Sequence, residues 1–249
     1  IINFAYWLAK NDISYSEIDK EGLGTIHEFA EAWSYYLLKA SVELAKEFGP
    51  CEKIEDTKYF HGILPIDTYK KDVDGLVKPK YNMNWSKLKE DIKKYGIRNS
   101  TLMALMPSET SSQLSNSTNG VEPVRAFVSV KQSKDGVLRQ IVPEFRRLKN
   151  KYDLLWNQKT PEGYLKIMAI LQKFIDQAIS VNTSYNPKYY DEEKIPMSEM
   201  LKHVIMHYKY GGKTLYYFNT NDGAGEIELP QVDIKPEVLI EEDCDACKL

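Results

Sequence analysis

The chain has 249 residues, 43% hydrophobic and 28% charged, with a net charge of −3 from 33 basic and 36 acidic side chains. That composition suits an ordinary globular protein with a substantial core; the slight acidity argues against a nucleic-acid or anionic-membrane surface, and no apolar run approaches the ~20 residues of a membrane span. Three cysteines are too few for a disulfide scaffold and point to a reducing compartment, so the sequence reads as cytoplasmic.

The opening, IINFAYWLAKND, has neither a basic leader nor a small-residue cleavage site, so it does not read as a secretory signal. It sets Phe4, Trp7 and Leu8 at helical spacing with no initiator methionine or cap ahead of them, which reads as the interior of a longer polypeptide. Thr25 and Glu28 make a capping-box pattern that predicts a helix over 26–48, with Phe29, Ala32, Trp33, Tyr36 and Leu37 as apolar positions and Gly49-Pro50 as its end. Cys51 has no His or basic pair nearby to activate it and reads as a small filler. Residues 52–84 read as loops with one short helix near 66–73. Asn84 then caps a predicted helix in which Trp85, Leu88, Ile92 and Tyr95 share a face, closed by Gly96.

The stretch 99–120, NSTLMALMPSETSSQLSNSTNG, carries the first chemical signal. An apolar run of strand length, 101–106, is stopped by Pro107, and Ser108, Glu109, Thr110 and Ser111 then offer helix-starting side chains. A strand turning sharply into a helix N-terminus presents unpaired N–H groups beside small hydroxyls, which suits a phosphate. The Glu109 carboxylate complements the helix dipole but repels an anion, so its amide is expected to face the ligand and its side chain to turn aside. The plainer alternative is an ordinary strand–loop–helix joint with a serine cap.

Farther on, 127–130 and 137–142 alternate as a hairpin with Lys134-Asp135-Gly136 as its turn. A charged amphipathic helix is predicted over 144–156, and Thr160-Pro161-Glu162 opens another whose Leu165, Met168, Leu171 and Ile175 face a core. The 182–187 segment reads as a turn-rich exit, followed by a helix over 197–210 that ends at Gly211-Gly212. GGKT at 211–214 is not a phosphate loop: the required first glycine falls at His207, and a helix precedes it where a strand is needed. A strand over 213–219 holds adjacent Tyr216 and Tyr217, which in regular geometry would point to opposite faces and serve as packing. From Gly223 the chain is acidic with little helical patterning and reads as a tether closed by Cys244-Asp245-Ala246-Cys247. That pair lacks the second pair of a zinc site and the following helix of a thioredoxin motif; a dithiol on a tail suits thiol–disulfide exchange. Strands alternating with helices favour an α/β fold.

MPSETSSQ followed by SNSTNGVEP, in order with GILPIDTYKKD, KDGVLRQIVP, KFIDQAISVNTSYNP, KTLYYFNT and CDACKL, resembles the large catalytic subunit of class Ia ribonucleotide reductases, and only its C-terminal part. The resemblance covers essentially the whole chain. It implies the later half of a ten-stranded α/β barrel over 1–224 and a flexible acidic tether with a redox-active cysteine pair over 225–249. It implies a ribonucleoside diphosphate substrate with its phosphates at Pro107, Ser108, Glu109, Thr110 and Ser111. Tyr216 and Tyr217 would be a stacked radical relay from a small radical-generating subunit, with the backbone bent away from regular strand geometry. Cys244 and Cys247 would carry electrons from thioredoxin or glutaredoxin; their C-x-x-C spacing is shorter than in many members, which leaves the bridge geometry open. No cofactor is expected on this chain: the radical-generating metal cofactor would lie on the small subunit, and the ATP/dNTP effectors on the N-terminal part. The family's thiyl-radical cysteine, the carboxylate two residues beyond it and the two substrate-reducing cysteines have no counterpart here. Activity would therefore need the N-terminal part of the large subunit, whether the chain is a split-gene product or a piece of one longer chain; an excised intein is a poor third origin, since Ile1 offers no splicing nucleophile. A different class of function stays open, a catalytically idle nucleotide-binding or assembly module, although a mere binder needs neither the tyrosine pair nor the dithiol.

Overall fold

The computed structural model describes residues 1–133 and 136–221; the predicted turn residues Lys134 and Asp135 and the cysteines Cys244 and Cys247 lie outside the described residues. After α1 (Phe4–Lys10) comes the longest element, α2 (Lys20–Phe48). It starts earlier than predicted because Asp19 is its cap, accepting from the Gly22 amide at 2.7 Å, while Thr25 lies inside and bonds back to the Glu21 carbonyl at 3.2 Å. Its end at Gly49, φ 81°, is as predicted.

The buried face of α2 is also not the purely apolar one expected. It mixes Leu23, Ile26, Ala30, Leu38, Val42 and Ala45 with His27, Glu31, Ser34 and Ser41, and Tyr36 faces solvent. Each polar member has a partner. The buried Glu31 carboxylate accepts from the amides of Asn82 and Met83 and from Trp85 Nε1, all at 2.9–3.0 Å, and Ser34 Oγ donates to the Phe174 carbonyl at 2.8 Å. A buried carboxylate survives only with such bonds, and here they pin the irregular 76–84 segment to the helix.

The predicted short helix splits into α3 (Pro65–Thr68) and a 3-10 turn, Lys71–Gly75. Helix α4 (Trp85–Tyr95) matches expectation at both ends: Asn84 Oδ1 accepts from Lys87 N at 3.0 Å, and Gly96, φ 75°, closes it. The apolar run 101–106 forms no ladder; Leu105 bridges Ile179 in parallel, and the amides of Leu102 and Met103 donate to the Asp176 carboxylate at 2.9 Å each. Helix α5 (Glu109–Leu114) follows.

Strands β1 (Val128–Ser133) and β2 (Gly136–Ile141) form the predicted antiparallel hairpin, Val128 opposite Ile141. The predicted helix over 144–156 shrinks to one turn, α6 (Phe145–Leu148), and a 3-10 turn, Leu155–Asn157. Distant partners interrupt it: the Asp153 carboxylate accepts from Ser14 Oγ at 2.7 Å and from the Tyr15 amide, and the Leu155 amide donates to the Val124 carbonyl at 2.8 Å.

Helix α7 (Glu162–Gln172) is buried on every side, beyond the single face predicted. It packs against α2, against α8 (Met197–Lys209) and against β3 (Val181–Tyr185). Strand β3 occupies the segment read as a turn, because its partner is remote: it pairs in parallel with β4 (Leu215–Thr220) across α8. Parallel pairing through a helix is the α/β architecture expected. At the C-terminal end of α7 the buried Lys173 ammonium donates to Asp74 Oδ1 at 2.9 Å and lies 3.1 Å from His27 Nε2, over the Tyr69 ring at 4.3 Å. Among the described residues no helix is long and apolar enough to cross a membrane.

Candidate functional site

Two features of the sequence come together on one side of the fold. The first is the turn from Leu105 into α5. Ser108 occupies the cap position but makes no side-chain cap; its Oγ donates instead to the Met106 carbonyl at 3.1 Å. The first helical closure is the Ser112 amide on the Ser108 carbonyl at 2.9 Å, and the buried Ser112 Oγ bonds the same carbonyl at 2.8 Å. Pro107 is solvent-accessible just before the cap, and Glu109, Thr110 and Ser111 are solvent-accessible on the first turn, where helical N–H groups point outward along the axis. Glu109 and Ser112 line a cleft of about 130 Å³ together with Asn119, Glu122, Arg125 and Gln140. Gln140 fixes its far wall, donating from Nε2 to the Ser117 carbonyl at 2.7 Å and to that of Ser112 at 3.2 Å.

The second feature is the tyrosine pair. Along β3–β4, Val181 pairs with Leu215 and Thr183 with Phe218, so Tyr216 and Tyr217 together oppose the single residue Asn182. This is a β-bulge, uncommon between parallel strands. It abolishes the alternation that would separate the rings: their centroids are 4.2 Å apart, inclined at 51°, and the Tyr217 hydroxyl lies 3.4 Å from that of Tyr216. The hydrogen bond to Tyr216 raises the Tyr217 phenol above its ordinary pKa. The expected bend in the backbone is present.

A polar connection links the two features. Ser112 Oγ lies 3.4 Å from Asn119 Oδ1, and Asn119 Nδ2 lies 3.5 Å from Glu122 Oε2. Asn182 Nδ2 donates to Glu122 Oε1 at 2.6 Å, while its Oδ1 accepts the Tyr217 amide at 3.1 Å. Sequence reasoning missed these side chains: Asn182 fell in a predicted turn, and nothing local marks Glu122 as its partner. Cys51 is half-buried with a free thiol, and its amide donates to the Ile97 carbonyl at 2.9 Å; Cys244 and Cys247 lie outside the described residues. Among the described residues no group of three or more His, Cys, Asp or Glu is disposed to hold a metal.

Parallel strands joined by helices, with two tyrosine rings brought together at a tilt by a bulge beside a polar cleft, define an α/β protein with redox-capable side chains at its surface. The family model described as "Ribonucleotide reductase, barrel domain" matches residues 1–218, and the chain belongs to that family. It is 53% identical over its full length to the ribonucleoside-diphosphate reductase 1 subunit alpha of Salmonella typhimurium, of which it covers 32%. It is 52% identical to the corresponding protein of Escherichia coli K12 and 46% identical to the ribonucleoside-diphosphate reductase subunit alpha of Enterobacteria phage T4, again over 100% of this chain and 32% of each relative. The chain thus spans about a third of the length of these relatives.

Proposed function

We propose that this chain is the C-terminal portion of a ribonucleoside-diphosphate reductase large subunit and supplies three parts of its machinery. The turn at Pro107, Ser108, Glu109, Thr110 and Ser111 holds the diphosphate of the substrate. Tyr216 and Tyr217 relay an oxidising equivalent from a small radical-generating subunit. Cys244 and Cys247 return electrons from thioredoxin or glutaredoxin. The N-terminal part of the large subunit completes the ten-stranded barrel, contributes the cysteine that reacts with substrate and binds the ATP/dNTP effectors. Names borne by the relatives and the family membership support the activity; the bulge at Tyr216-Tyr217 is the observation that carries the relay.

A phenol is suited to such a relay because it can lose an electron and its hydroxyl proton together and never needs a charged form at neutral pH. With the hydroxyls 3.4 Å apart, the oxygen of whichever tyrosine is oxidised first can take the other's proton as the electron passes between the rings. The products are a neutral first tyrosine and a radical on the second; one hydrogen atom has moved and no charge has been created. At the turn, the helix N-terminus favours an anion, and Arg125 sets a cation in the same cleft against the carboxylates of Glu109 and Glu122.

The test is a single-turnover measurement in the enzyme reconstituted with the N-terminal part and the small subunit. Tyr216→Phe and Tyr217→Phe keep the rings but should give no product even in the first turnover. Cys244→Ser and Cys247→Ser should complete one turnover on a pre-reduced enzyme, stall with thioredoxin, and partly recover with a small dithiol that reaches the site directly. Retention of the first turnover by a tyrosine variant, or its loss in a tail variant, would overturn these assignments.

A further inference from the structure

The bulge that brings the tyrosine rings together also creates a problem. An extra residue in one strand breaks the ladder locally and leaves a backbone N–H without its strand partner. Here that group is the Tyr217 amide, and the acceptor that satisfies it is a side chain, Asn182 Oδ1 at 3.1 Å, on the residue directly opposite the bulge.

An asparagine amide can face either way, and only one way serves. Glu122 Oε1 lies 2.6 Å from the other end of the amide. A carboxylate only accepts, so it requires Nδ2 toward itself and thereby turns Oδ1 toward the Tyr217 amide. Glu122 is in turn near Asn119 Nδ2 at 3.5 Å, on the wall of the cleft beside α5. We infer that Asn182 and Glu122 are positioning residues for the relay: Glu122 fixes the polarity of the Asn182 amide, and Asn182 holds the Tyr217 backbone where its ring meets Tyr216. Neither side chain needs to touch substrate or carry the radical. This rests on the relay reading of the tyrosine pair.

The test is a polarity swap in the reconstituted holoenzyme. Asn182→Asp sets a carboxylate against Glu122 at a hydrogen-bonding distance and should lower kcat about tenfold or more, with KM for the nucleotide unchanged. Glu122→Gln alone can still offer an oxygen to Asn182 and should cost less than about threefold. The double variant, Glu122→Gln with Asn182→Asp, restores one donor and one acceptor in reversed order and should return kcat to within about threefold of wild type. A merely structural role would lower the folded fraction of each variant and leave kcat per folded enzyme unchanged. As a measurement independent of turnover, Asn182→Ala should speed hydrogen exchange of the Tyr217 amide about tenfold or more. If Tyr217→Phe retains turnover, the relay reading fails whatever the exchange data show. If Tyr217→Phe is inactive but the double variant is no better than Asn182→Asp, or exchange is unchanged in Asn182→Ala, the positioning inference is overturned.

Discussion

Lys173 donates from its ammonium to Asp74 and lies at hydrogen-bond distance from His27 Nε2, which requires a neutral His27 with its proton on Nδ1. Burial first, and the Lys173 charge second, lower the His27 pKa to about 4. The unfolded chain takes up this proton near pH 6.5, the folded chain only near 4, so between those values the unfolded state binds more protons. The stabilising contribution is therefore complete above pH 6.5 and declines as pH falls toward 4. Burial lowers the pKa values of His203 and His207 as well, adding in the same direction. His27→Gln keeps an acceptor for Lys173 without a titrating ring. Its loss of stability between pH 7 and 4.5 should be smaller than that of wild type by roughly 2 kcal/mol, read from urea unfolding. An identical pH dependence in the two proteins would contradict the role given to His27.

At the scale of elements, two glycines in helices should respond to the same substitution with opposite sign. Gly24 lies within α2 with Val77 Cγ2 the nearest atom to an added Cβ, at 3.9 Å, so Gly24→Ala should stabilise by about 0.5–1 kcal/mol through helix propensity. Gly163 opens α7 where an added Cβ would fall on the Tyr15 carbonyl oxygen, so Gly163→Ala should destabilise by about 1–3 kcal/mol despite that propensity. Paired urea midpoints check both, and a stabilised Gly163→Ala would show that the Tyr15 loop yields. The contrast explains what the sequence could convey. Helix α4, the β1–β2 hairpin and α8 were legible because their caps, alternation and breakers lie within the element. The start of α2 was hidden because Thr25 and Glu28 imitate a capping box inside the helix, while the true cap is Asp19 and Gly22 makes room for Ile13 and Ile18. Strand β3 was illegible because Asn182, Thr183 and Ser184 have turn composition and the strand exists through pairing with β4. At the site, the phosphate-type turn and the tyrosine pair stood out as residue patterns, but their connection through Glu122 and Asn182 depends on contacts between residues 60 apart in sequence.

Across the whole molecule, two of the apolar surfaces left uncovered lie on β4, which carries the tyrosine pair, and on α8, which precedes it in the chain. On β4, Tyr216, Tyr217 and Phe218 are between 44% and 55% exposed. On α8, Met197, Leu201, Ile205 and Tyr208 recur at helical spacing and are between 55% and 75% exposed, an apolar stripe on a helix whose opposite side buries His203 and His207. Among the described residues β4 pairs with β3 alone, so its other edge offers free backbone groups beside three aromatic side chains. An edge of this kind is a template for association. If the chain is part of a larger barrel, as proposed, strands of the N-terminal part would cover the β4 edge and the α8 stripe would be left for a different partner. The two patches should then separate experimentally. The chain alone should self-associate in sedimentation and bind a dye that reports exposed apolar surface. Adding the N-terminal part should abolish the share of that binding removed by Phe218→Ser. It should leave intact the share removed by Leu201→Ser with Ile205→Ser, which only the small subunit should compete away. A monodisperse chain with no dye binding, or an N-terminal part that masks both patches equally, would contradict this division of the surface.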